Sequence, residues 1–256
     1  MNALLSERQR TIVGSFLDDR GLERAHLVIA LSGAHAYGFP SPDSDVDLKC
    51  VHIAPLRQVL ALEPPPAVAD RLEVVDGVEL DYGSNEIGPV LTGFLRGNGN
   101  FAERLLGPNA LRAAPALVGL RPLAAANVSR RFHRHYHGFA TSQRKLAEAG
   151  RSAKRVLYVL RTALTGAYLL ETGAFVTDLP TLAPRYAIDV SDLIAAKQHG
   201  ERAALDDRTF AGCIDRMNLA FSALDAAHAG SPLGESPPSP SDLDDWLYQL
   251  RRDALA

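Results

Sequence analysis

Cysteine is scarce: the chain of 256 residues has two, Cys50 and Cys213. That excludes a disulfide framework and a multi-cysteine zinc site, and it fits a reducing compartment. Long apolar runs are missing as well. No stretch approaches the roughly 18–20 uninterrupted apolar residues that a membrane span needs. Residues 1–20 carry Glu7, Arg8, Gln9, Arg10, Asp18, Asp19 and Arg20 where a secretory signal would have an apolar core. The expectation is a cytoplasmic protein with no membrane partner. Net charge is small: 27 Lys and Arg stand against 30 Asp and Glu, a formal −3. No global field draws in nucleic acid, which disfavours a long duplex as obligatory partner. Glycine shows no repeat period, excluding collagen-like order, and 46% hydrophobic residues exclude disorder throughout.

What is present divides into two halves. Residues 3–20 have helical apolar spacing (Leu4, Leu5, Ile12, Val13, Phe16, Leu17), and Gly21 ends the run. Ala25 to Leu31 is almost wholly apolar, as a central strand is. Residues 32–44, with Gly33, Gly38, Pro40 and Pro42, read as loop. Asp45 to Ile53 alternates, with Val46, Leu48 and Cys50 on one face and Asp45, Asp47 and Lys49 on the other. A short helix over 56–62 meets Pro64-Pro65-Pro66, and 72–82 reads as a hairpin turning at Asp76-Gly77. Helices follow over 85–95, entered at Ser84, and over 100–106. After about residue 110 the period is helical: 123–146, 152–172, 191–198 and 203–227. A Pro/Ser/Gly-rich loop at 230–241 precedes a last helix over 242–255, with acids at its start and Arg251 and Arg252 near its end. The expected fold is α+β: a small mixed β-sheet core with flanking helices over residues 1–110, then an all-helical domain over 111–256. The site is expected in the cleft between them.

The chemistry concentrates in Leu31-Ser32-Gly33-Ala34-His35-Ala36-Tyr37-Gly38 and Ser44-Asp45-Val46-Asp47-Leu48. Two carboxylates at i and i+2 of a strand project from one face, roughly 6–7 Å apart at the base. Two like charges so placed are costly without a cation between them, and Mg²⁺, an oxygen-seeking ion, supplies one. The glycine turn frees backbone N–H groups for phosphate oxygens. A third carboxylate on a neighbouring strand completes a two-metal site. Asp81 is the candidate, with Glu79, two residues away on the same face, as its rival. The bland reading of each acid is a solvated strand or turn carboxylate.

These segments resemble the nucleotidyltransferases of the DNA polymerase beta type. The likeness is closer to a prokaryotic group that includes those found beside RNA ligases. Gly33-Ala34-His35-Ala36-Tyr37-Gly38 matches a Gly-Ser-Arg-Ala-Tyr-Gly-like turn of that group. Ser41-Pro42-Asp43-Ser44-Asp45-Val46-Asp47 matches its Thr/Ser-Pro-x-Ser-Asp-x-Asp segment. Arg96-Gly97-Asn98-Gly99-Asn100-Phe101-Ala102-Glu103 matches its Lys-Gly-Asn-Pro-Asn-x-x-Glu-like segment. The likeness continues through Tyr136-x-Gly138-Phe139-Ala140, Gln143, Lys154-Arg155 and Arg161, covering most of residues 25–180. It departs where the family's Ser and Arg are Ala34 and His35: a hydroxyl and a charge toward the terminal phosphates are lost, while the Ala34 N–H remains.

The resemblance implies transfer of a nucleoside monophosphate from a nucleoside triphosphate, ATP in the first instance, to a hydroxyl, releasing pyrophosphate. Two Mg²⁺ ions, or Mn²⁺, would be held by Asp45, Asp47 and Asp81. Gly33, Ala34, His35, Ser44, Lys154 and Arg161 would contact nucleotide phosphates. Asn98, Asn100, Arg134 and Gln143 are candidate substrate contacts, with turn formation or a solvated helix face as the alternatives. The acceptor is open among an RNA end, a small molecule and a protein hydroxyl. Two rival readings are a catalytically weak nucleotide-binding regulatory or antitoxin-like module, which the Ala34 departure favours, and a metal-dependent phosphohydrolase. His133 and His137, i and i+4 on a helix, could suit zinc, although the Glu of the hydrolase spacing is missing. Cys213 reads as a small core hydrophobe and Trp246 as an anchor of the last helix.

Overall fold

The computed structural model describes residues 4–63, 66–199 and 205–253. Pro64 and Pro65, and the outer ends of the helices expected over 3–20, 203–227 and 242–255, lie outside them. The first elements are α1 (Glu7–Glu23), β1 (Ala25–Leu31), α2 (Gly33–Tyr37), β2 (Val46–Ile53), α3 (Leu56–Val59), β3 (Val68–Val75), β4 (Val78–Glu86), α4 (Ile87–Leu95), α5 (Gly99–Leu106), β5 (Ala110–Ala113) and α6 (Ala116–Ala126). Then come α7 (Phe132–Gly150), α8 (Ala153–Thr172), α9 (Leu179–Leu182), a 3₁₀ turn (Ala183–Tyr186), α10 (Ser191–Gln198), α11 (Asp207–Ala229) and α12 (Pro240–Asp253). Contacts group them into two units. One comprises residues 1–35, 45–127 and 237–256; the other comprises 36–44 and 128–236. The first unit therefore runs past residue 110 and includes the last helix, and the second takes in the end of α2 and the segment that follows it.

In the first unit five strands form a mixed sheet in the order β3-β4-β2-β1-β5. β1 sits between β2 and β5, and both its faces are covered, as its unbroken apolar run requires. β2 and β4 run parallel in an unbroken register from Val46↔Leu80 to His52↔Glu86. The β3–β4 hairpin closes at Val75↔Val78 through Asp76 and Gly77, both at positive φ (49° and 74°), the two-residue turn that Asp-Gly favours. α1 enters through a Ser6 capping box with Gln9 and buries Ile12, Val13, Phe16 and Leu17.

Several boundaries depart from the periodicity. Residues 33–37 are helical where loop was expected, because the chain coils at once after β1. β4 continues to Glu86, so α4 is capped by Glu86, whose side chain accepts the Gly88 N–H at 2.7 Å, and not entered at Ser84. Pro89 then stands in the first turn, where its missing N–H costs nothing. β5, four residues long, has no alternation to announce it and exists because its backbone pairs with β1. The run 123–146 is two helices, broken between Ala126 and Phe132. Asn127 stops the first by bonding the Leu123 carbonyl and the Ser239 backbone. α12 joins this unit through Arg251, whose Nη2 donates to both Glu86 oxygens (3.0 and 3.2 Å).

In the second unit α8 is the central helix, buried over most of its length and packed on α7 and α11. Arg130 secures the 231–235 loop by donating to the Ser231 and Leu233 carbonyls and to Glu235. Among the described residues no helix is long and apolar enough to cross a membrane.

Candidate active site

The parallel ladder decides the placement of the acids. Asp47 on β2 and Asp81 on β4 are direct Cα partners, and residues paired in adjacent strands share a face. Asp45 stands one residue before β2, half-buried. Glu79 is exposed, lies beyond the β2 register and pairs instead with Val74 on β3. Asp81, not Glu79, is thus the acid opposite Asp47.

The Gly33 turn closes over the same carboxylate. Ser32 N–H donates to the Asp47 carbonyl at 2.9 Å, and Gly33 adopts φ +63°. A Cβ at position 33 would lie 1.7 Å from Asp47 Oδ2, so only glycine fits there on grounds of both backbone and space.

The electrostatics follow from this crowding. Burial, then the Asp45 charge, pushes the Asp47 carboxyl up from 3.8 to about 7; Lys49 opposes, while Asp81 adds its charge and a hydrogen bond to the protonated form. Lys49, two residues on and on the same face, pairs with Asp81 at 2.8 Å. Sequence reasoning placed Lys49 on this face but gave it no part; its i+2 spacing from Asp47 was the signal. As placed, no three His, Cys, Asp or Glu side chains among the described residues enclose a metal position. The donor set nevertheless fits a hard cation. It is all carboxylate oxygen, and burial and then like charge raise its inner acid to about 7, a cost that a divalent ion would offset.

The remaining candidates fall in both units. Ala34 is buried, and the His35 ring is turned to its own unit, 3.2 Å from the Leu4 carbonyl and 3.4 Å from Gln9 Nε2. Asn98 caps α5 by accepting the Phe101 N–H, the turn role, and Asn100 is exposed in the first turn of that helix. In the second unit Ser44 closes a tight turn with Ser41, and both hydroxyls accept from the buried Lys197 ammonium at 3.0 and 2.8 Å. Lys197 had no motif to reveal it, since a lone lysine on a short helix reads as solvated. Arg161 is buried with its guanidinium 3.6 Å above the Tyr37 ring, and Lys154 lies in the first turn of α8. Arg134 is exposed on α7, and Gln143 accepts from Arg155 at 3.5 Å. His133 lies 3.1 Å and His137 4.0 Å from Asp225 Oδ1, with His228 stacked on His133. These side chains too enclose no metal position as placed.

Comparison with known proteins gives three likenesses. A family model described as the RNA repair pathway DNA polymerase beta family matches residues 23–249. An uncharacterized protein of Methanocaldococcus jannaschii, MJ0002, is 30% identical over 156 residues, 59% of this chain and 63% of that protein. The chain thus matches less than two thirds of that relative's length. The crystal structure of a nucleotidyltransferase-like protein from Exiguobacterium sibiricum aligns over 96% of this chain and 80% of its own, at 11% identity and a TM-score of 0.35.

Proposed function

Because the chain belongs to the RNA repair pathway DNA polymerase beta family, we propose that it transfers a nucleoside monophosphate from ATP, or another nucleoside triphosphate, to a hydroxyl acceptor and releases pyrophosphate. The observation that carries this reading is the pairing of Asp47 with Asp81 across parallel strands, beside Asp45 and under the Gly33 turn. The family's description makes an RNA end the acceptor of first choice.

In this proposal Asp45, Asp47 and Asp81 hold two Mg²⁺ or Mn²⁺ ions. When bound, such ions neutralise the triphosphate and make the attacking hydroxyl more acidic. The chain's own contribution is preorganisation. The ladder hydrogen bonds hold Asp47 and Asp81 in register, so the acids need no rearrangement to act together. Lys49 holds the Asp81 carboxylate through the 2.8 Å ion pair, and in this proposal Asp81 takes the proton leaving the acceptor hydroxyl. The site uses Ala34 in place of a hydroxyl, so phosphate contact there falls to the backbone.

The test is incubation of the purified chain with labelled nucleoside triphosphates, Mg²⁺ or Mn²⁺, and RNA, protein and small-molecule acceptors. Pyrophosphate release with label transfer, absent in Asp45→Ala and Asp47→Ala, is the expected result. Free phosphate without transfer would replace the proposal with hydrolysis. Nucleotide binding without turnover would replace it with a regulatory module.

A further inference from the structure

The opposite face of the same sheet carries a second polar assembly. Side chains alternate along a strand, so His52 on β2, and Tyr82 and Ser84 on β4, point away from Asp47 and Asp81, toward the side that α1 covers. Such a face is expected to be apolar. Here it holds buried His52, Tyr82 and Ser84, together with His26 and Arg24 from the α1–β1 junction. Arg24 Nη1 donates to the Tyr82 hydroxyl at 3.2 Å, and His26 Nε2 lies 2.7 Å from that hydroxyl. His52 Nδ1 lies 2.8 Å from Ser84 Oγ. These bonds fix the orientation of both imidazoles and of the guanidinium.

Space opens on both sides of Arg24. A cavity of about 540 Å³ is lined by Arg24, His52 and Gln58, and one of about 280 Å³ by Arg24, His26 and Arg112. The basic groups press on one another. Burial first, then the charge of Arg24, drives both histidines down to about 4, and His52 and Arg112 press further on His26. The nearby acids are Glu23, 3.6 Å from Arg24, and Asp18, paired with Arg112 at 2.7 Å, both on α1 and both well exposed. Arg24 and Arg112 thus stand with His26 at one cavity and Arg24 with His52 at the other, against Glu23, which lines the larger cavity, and the exposed Asp18.

We propose that this assembly is an anion-binding site, separate from the carboxylate site, and that it takes a phosphate-bearing ligand. Arg24 is the shared anchor, with the fork geometry that matches phosphate oxygens. Arg112 and His26 serve one side, and His52 serves the other. The larger cavity has room for more than the anion itself. Free phosphate and the phosphate of a mononucleotide present the same chemistry to Arg24.

The test is a proton-NMR titration of the histidine ring signals of the full chain in EDTA, adding inorganic phosphate, AMP or adenosine. Phosphate is expected to move the His26 and His52 signals and raise their titration midpoints, since an anion favours the imidazolium. Arg24→Gln is expected to weaken that response by about tenfold or more. Should that variant misfold, Arg112→Gln is expected to give the same loss at the His26 signal, with the His52 signal reporting the larger cavity in the same sample. AMP acting more strongly than phosphate, with adenosine silent, assigns a nucleotide; equal action assigns the free anion. The inference is overturned if neither phosphate nor AMP moves these signals, or if Arg24→Gln responds as wild type does.

Discussion

Replacing Asp47 by Asn should stabilise the metal-free protein at alkaline pH and leave it unchanged at acid pH. The folded chain raises the Asp47 carboxyl from 3.8 to about 7. Between those values the folded state keeps a proton that the unfolded chain has lost. Stability therefore falls as pH rises through that window and is level above it. The shift sets a ceiling of about 4 kcal/mol on the cost of holding Asp47 ionised at pH 8. Partial exposure screens that charge, leaving about 1–2 kcal/mol. For a chain of this size that is a rise of roughly 2–6 °C in Tm for Asp47→Asn. Thermal melts of both proteins in EDTA, at pH 3.5 and at pH 8, measure it. A divalent cation should close the gap by stabilising the wild type and not the variant, since only the wild type offers the inner carboxylate. A gap of equal size at both pH values would refute the reasoning, because a neutral acid and a neutral amide differ little. So would a variant less stable than wild type at pH 8.

Three further outcomes follow from the geometry. Gly33→Ala places a methyl group against Asp47 Oδ2 at a positive φ, and should cost about 2 kcal/mol or more in urea melts while abolishing the proposed transferase activity. Lys49→Met removes a cation that lowers the Asp47 value, so the acid limb of the pH–rate profile of the proposed reaction should move to higher pH while the fold is kept, read by circular dichroism. Glu86→Gln breaks the buried pair with Arg251 and weakens the α4 cap. It should cost about 3 kcal/mol and expose α12 to limited proteolysis, with the sheet intact.

Local chemistry made much of this protein legible from its residues. The apolar run of β1, the alternation of β2 and the Asp76-Gly77 turn each name their element, because side-chain period and turn φ values are properties of neighbouring residues. Asp45, Asp47 and Gly33 stand out for the same reason: two like charges on one strand face and a glycine before them are visible within fifteen residues. Other features were written in no segment. β5 has too little pattern to read and exists through its partner strand, and Asn127 ends α6 partly through a bond to Ser239, far along the chain.

The elements, the acidic pair and the family motifs are short-range facts, readable along the chain. That Asp81 and not Glu79 faces Asp47, that Lys49 answers Asp81, and that Arg24, His26, His52 and Tyr82 lie on the reverse face of the sheet came from the folded chain alone. Register is the physical reason. A parallel pairing shifted by one residue would have turned β4's acids to the other side, and that choice is made by packing across the whole sheet rather than by any one strand.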